Sequence, residues 1–182
     1  MIEDGKGADG VYEVGYYYNR DGKQGVVFEV DATGKHGKIV SLYESSSELQ
    51  WSSDSAEQKR IIGVDDMIDG ANNMAKVKQI PDWQSKYPAF KWCADLGDGW
   101  YLPAIAELKL FTLDKSVHDA VNKTLAIKGV RLAEVKSYWT STEVCDQTTS
   151  GDIGAWPVYM RSGLTFGSTK LNHYYVRAVS AF

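Results

Sequence analysis

The chain has 182 residues, 43% of them hydrophobic and 24% charged, with a formal net charge of −4. These values describe one ordinary globular domain, long enough to bury a core. The acidic balance and the lack of any basic run exclude a nucleic-acid footprint, and no apolar run approaches the roughly 20 residues of a membrane-spanning helix.

The opening MIEDGKGADG has no apolar centre and does not read as a secretory signal. Residues 1–10 are expected to be a flexible N-terminus, with a single domain over 11–182. Strand signals then follow in quick succession. VYEVGYYY (11–18), GVVFEVD (25–31) and KIVSLYE (38–44) alternate β-branched and aromatic residues between Gly, Asp and Asn punctuation. They predict a three-stranded antiparallel meander. ELQWSS (48–53) predicts a further short strand.

Helical spacing takes over at 69–80, where Met74, Val77 and Ile80 share a face, Asp69 stands at the N-cap and Pro81 stops the run. Further helices are predicted over 87–97, over 103–111 with Pro103 in the first turn, and over 113–129 with Gly129 as C-cap. Strand rhythm returns in 137–143, 155–160, 163–168 and 174–182. Strands, then helices, then strands give an α+β fold.

Catalytic signals are sparse. No G-x-S-x-G elbow occurs, and His36, His118 and His173 are too scattered to complete a zinc site. The Asp65, Asp66 and Asp69 cluster does not have EF-hand spacing. GDG at 97–99 reads as a turn. Cys93 reads as a buried structural thiol and Cys145 as a free loop thiol, with a bridge between them left open. Nothing brings a nucleophile, a base and an oxyanion site together, so the chain reads as a non-enzyme with no cofactor.

The stretch GDGWYLPAIAELKLF is more specific. A glycine turn delivers Trp100 and Leu102 to the core, and Pro103 opens a helix. YWTSTE (138–143) and the closing VRAV (176–179) follow. This set resembles the bacterial branch of the C-type-lectin-like fold, which is related to the formylglycine-generating enzymes. In that light Trp100, Trp139 and Trp156 would fill one core, and Glu143 and Arg177 would form a buried brace. The calcium-ligating E-P-N, Q-P-D and W-N-D motifs of sugar-binding C-type lectins are missing. So is the late cysteine pair of the formylglycine-generating enzymes.

The closing PVYMRSGLTFGSTKLNHY is also similar to the variable proteins of diversity-generating retroelements, in which template adenines are randomised. An Asn codon altered at its adenines never yields Trp, Met, Lys, Glu or Gln. Here Trp156, Met160 and Lys170 fall at positions a scaffold would keep, and every position between them assigned to variation carries an allowed residue. The resemblance makes 144–174 a variable ligand-binding region. It assigns contact roles to Asp146, Pro157, Tyr159, Arg161, Leu164, Phe166, Ser168, Leu171, Asn172, His173 and Tyr174. Strand alternation places Val158 and Met160 on one face and Pro157, Tyr159 and Arg161 on the other. A proline there requires an edge or irregular strand. An ordinary strand pair with both faces packed is the alternative.

The expected function is display of a diversified surface to a protein or glycan ligand on a cell surface. The expected setting is a bacterial surface or phage particle, with the domain free to be appended to a larger fibre, pilus or lipoprotein. A non-diversified lectin or adhesin with one ligand is the first alternative, and a formylglycine-generating-type oxidase the second.

Overall fold

The computed structural model describes residues 10–56, 60–144 and 154–182. Residues 1–9 of the expected flexible terminus, Cys145 and Asp146 lie outside the described residues. The elements run β1 (Tyr17–Arg20), β2 (Lys23–Val30), β3 (Gly37–Ser41), β4 (Leu49–Gln50), α1 (Gly70–Val77), α2 (Trp83–Lys86), α3 (Pro88–Ala94), β5 (Trp100–Tyr101), α4 (Ile105–Leu113), α5 (Lys115–Lys128), β6 (Ser137–Val144), β7 (Gly154–Tyr159), β8 (His173–Tyr174) and β9 (Val179–Ala181). The fold is α+β and C-type-lectin-like, with antiparallel strands at both ends of the chain and helices between them.

The N-terminal meander forms as expected. Asp21 and Gly22 both have positive φ, 52° and 75°, which closes the β1–β2 hairpin with the primed turn that matches strand twist. The five-stranded sheet has the order β1-β2-β3-β9-β5. The last strand therefore lies between an early and a central one, tying both ends of the domain together. Two small antiparallel pairs, β4–β8 and β6–β7, complete the strand set.

Helix starts follow the acidic caps. Asp69 accepts from the amides of Ala71 and Asn72, and Asp114 from those of Ser116 and Val117. Each satisfies donors that the first helical turn leaves open. Glu107 does the same for α4 and more. Its carboxylate accepts from the Ala104 amide at 2.8 Å, the Gly70 amide at 3.0 Å and the Tyr101 hydroxyl at 2.9 Å, and it pairs with Lys38. One buried side chain thus holds α4, the start of α1, β5 and β3 together. Asp66 accepts from the amides of Ile68 and Asp69 and shapes the entry to α1.

The core is rich in large rings. Trp51 sits edge-on to Tyr87 and Phe90, and its indole donates to the Thr140 carbonyl at 3.0 Å. Trp100 and Trp139 join the same cluster, whereas Trp156 only packs against its margin.

Three of the expectations are corrected at the level of the fold. The strand predicted from 11 begins only at Tyr17, because the chain turns at Gly15, where φ is +92° and an added Cβ would lie 3.0 Å from Ala120. The strand predicted over 174–182 is broken. Tyr174 belongs to β8 and Val179 to β9, and the residues between cross from one sheet to the other. The Glu143–Arg177 brace does not form. Glu143 pairs with Lys170, and Arg177 pairs with Glu44 while donating to the carbonyls of Ser41, Leu42 and Val130. Two buried ion pairs stand where the sequence suggested one, because Arg177 lies in the crossing segment, beside β3 rather than beside the end of β6.

Candidate functional site

β7 runs antiparallel to β6 along one edge. On its other edge the chain turns back after Met160, yet the predicted strand over 163–168 does not form. Its end rungs exist: Ala155 and Ser168 exchange both backbone hydrogen bonds, at 2.9 and 3.0 Å, and Tyr159 donates to Leu164 at 3.1 Å. In that register the middle rung falls between 157 and 166, and Pro157 has no N–H to give. A single proline therefore leaves the returning segment an irregular loop and lets its side chains stand outward.

Alternation along β7 sorts as expected on one side, with Val158 at 0% exposure and Met160 buried. On the other side it is graded. Pro157 is buried, Tyr159 half-buried and Arg161 exposed. Pro157 therefore belongs to the interior and not to a display surface, and Ser168 is buried as well. Both lie where the returning loop and β8 close over β7.

Outside this closure is an aromatic shelf. Tyr159 stacks on Phe166 with centroids 4.8 Å apart and planes at 16°, and meets Tyr174 edge-on at 5.8 Å. The Tyr159 and Tyr174 hydroxyls lie 2.7 Å apart, the Tyr174 hydroxyl is 3.1 Å from Ser168 Oγ, and Asn172 Nδ2 donates to that Oγ at 2.8 Å. Burial, helped by the Tyr174 hydroxyl, holds the Tyr159 phenol well above its ordinary range. Tyr174 rests edge-on against Trp139 at 4.6 Å, which carries the shelf down to the core.

Phe166 and Leu164 remain 54% and 61% exposed. His173 and Asn172 are exposed and Leu171 is half-buried. The Leu171 carbonyl accepts from Gln50, and β8 pairs with β4, so this end is fastened to an early part of the chain. The structure thus joins Tyr159, Phe166, Ser168, Asn172 and Tyr174 directly. Arg161 stands apart, in the turn after β7, lining a groove with Leu113 and His118.

The foundation was not foreseen. Lys170, in the middle of the loop, is fully buried. It pairs with Glu143, donates to the Arg60 carbonyl at 2.6 Å and lies 4.8 Å from the Trp51 ring centre. Glu143 also accepts from the amides of Ile62 and Gly63. A buried charge is tolerable only with this degree of pairing. The codon pattern flagged Lys170 as a kept position but carried no signal for its partner.

The shelf offers aromatic faces, hydroxyls, an amide and an imidazole, a set suited to non-covalent recognition. Among the described residues no group of three or more His, Cys, Asp or Glu is arranged to hold a metal. Cys93 is a free thiol, completely buried and pushed well up in pKa by that burial.

Antiparallel strands at both chain ends, helices between them and a loop-built shelf over a buried ion pair define a C-type-lectin-like module. The chain belongs to the Lcl C-terminal domain family, whose model matches residues 41–180. Among solved structures it resembles a fimbrial protein from Bacteroides ovatus ATCC 8483, with a TM-score of 0.66 and 20% identity over 94% of this chain and 49% of that one. At that identity the likeness establishes fold alone, and the chain spans about half the length of that fimbrial protein. No curated protein matches the chain.

Proposed function

We propose that this chain is a non-enzymatic binding module of adhesin type, with the 159–174 shelf as its recognition surface. Its ligand would be a protein or glycan on a cell surface, met from a bacterial surface, a fimbria or a phage particle. The observation that carries the reading is the contrast within one loop. Leu164 and Phe166 are more than half exposed, whereas Lys170, a few residues on, is at 0%. A protein spends exposed aromatic area where something is to be bound. The fimbrial character of a structural neighbour supports attachment to a larger surface assembly.

Diversification of the shelf is the finer part of the proposal, supported by the codon-compatible residues at its outward positions. Its rival is an adhesin with one settled ligand. That rival draws support from the hydrogen bonds joining Tyr159, Ser168, Asn172 and Tyr174, which free substitution would break. An oxidase of the formylglycine-generating type is disfavoured by the inert burial of Cys93.

Two measurements test this. Beads coated with the domain should adhere to members of a panel of cultured cells, and the Leu164→Ala, Phe166→Ala double variant should lose that adhesion. Unchanged adhesion by the double variant would remove the shelf from the function. Sequencing siblings of the gene should find substitutions concentrated at Arg161, Leu164, Phe166, Asn172 and His173. An even scatter along the chain would leave a settled-ligand adhesin.

A further inference from the structure

A second cavity, of about 280 Å³, lies away from the shelf and is lined by Asn19, Gln24, Ser41, Tyr43, Leu96 and Trp100, with no residue of 144–174. Its chemistry differs from that of the other grooves. One of those is edged by Lys23, Lys78 and Asp98, and another by Asp119, Lys123, Arg131 and Glu134. The residues that line this cavity carry no charge at neutral pH.

Several of its polar groups lack protein partners among the described residues. Gln24 Nε2 donates to Asn19 Oδ1 at 3.1 Å, which orients the amide, and Gln24 Oε1 has no hydrogen bond to any described residue. The Trp100 indole N–H and the Tyr43 hydroxyl are likewise unpartnered among the described residues. Tyr43 is 59% exposed and Leu96 41%, whereas Trp100 is 5% exposed and forms the floor. Ser41 Oγ donates to the Tyr43 carbonyl at 2.7 Å and accepts from the Ala178 amide, which holds the Tyr43 backbone at the lip.

An ionic ligand would find no counter-charge here. A purely apolar one would strip water from the Trp100 donor and the Gln24 acceptor without replacing it, at a cost. A ligand with one apolar face and hydroxyls at its edges satisfies both demands, the rings taking the face and the amide and indole the hydroxyls. We propose that this cavity binds a neutral saccharide residue, without calcium, at a site independent of the shelf. No carboxylate lines the cavity to hold calcium, so binding there is expected without it.

The test is a titration of the intact domain with galactose, glucose, mannose, N-acetylglucosamine and lactose, followed by the NMR signal of the Trp100 indole N–H. At least one sugar should move that signal with a dissociation constant on the order of 1 mM, in the presence of EDTA. Tyr43→Ala and Gln24→Leu, both at exposed side chains, should each weaken binding roughly tenfold. Phe166→Ala should leave it unchanged, and Tyr43→Ala should leave shelf-mediated adhesion unchanged, so the two sites fail separately. No shift with any of the sugars at about 50 mM, persistence of the shift in both variants, or its loss with EDTA would each overturn the proposal.

Discussion

Two regions of the closing segment differ in how they are held, although they are neighbours in sequence. The interior set, Val158, Lys170, Val176 and Arg177, is at 0% exposure. Each member has specific partners, and both charges are paired. The outward set, Arg161, Leu164, Phe166, Asn172 and His173, is exposed and, apart from the Phe166 ring and the Asn172 amide, its side chains make no hydrogen bond, ion pair or ring contact among the described residues. Specific burial and adaptable display can thus share one short segment, provided a charge pair holds the loop from beneath.

The comparison would break first at Lys170. Lys170→Met leaves Glu143 buried with only its amide donors, and should lower stability by about 3–5 kcal/mol in urea unfolding. Adding Glu143→Gln should recover much of the loss if the pair is the cause. A loss below about 1 kcal/mol would mean that the pair does not hold the loop.

The outward set predicts the reverse pattern. Phe166→Ala should cost about 2 kcal/mol in ligand binding while changing stability by no more than about 0.5 kcal/mol. A large stability loss would move Phe166 into the structural set. Tyr159→Phe tests the boundary between the sets: losing its hydroxyl contact should cost about 1 kcal/mol of stability, and no loss would class it with the free outward residues.

The smallest effect concerns the exposed caps that hold neither set. Asn72 holds the Asp66 carboxyl below its ordinary range, chiefly through a hydrogen bond, and Ser116 does the same for Asp114. A depressed carboxyl contributes stability above its unfolded pKa and loses it as pH falls through the folded value. The melting temperature should therefore fall only below about pH 4, and Asp114→Ala should make that decline shallower. A wild-type melting temperature that stays flat below about pH 4 would show that these caps contribute nothing.

Much of this was legible in the residues. Asp69 announced its cap, Asp21-Gly22 sat where the β1–β2 hairpin turns, and Pro103 foretold the start of α4. The Val158 and Met160 rhythm marked the buried side of β7. What escaped were relations across the chain. The resemblance pairs Arg177 with Glu143, but their partners are Glu44 and Lys170. Tyr174 and Val179 looked like one strand because nothing local marks the crossing between sheets. The shelf was foreseen as a set of residues, but not that Pro157 and Ser168 lie beneath it.

The sequence by itself determined the α+β class, the helix starts and the two-sided character of β7, because each depends on a residue and its near neighbours. Only the tertiary structure decided which charges meet and which side chains of the returning loop are covered. Those outcomes depend on distances between segments far apart in the chain, where burial makes an unpaired charge intolerable and so selects the partner.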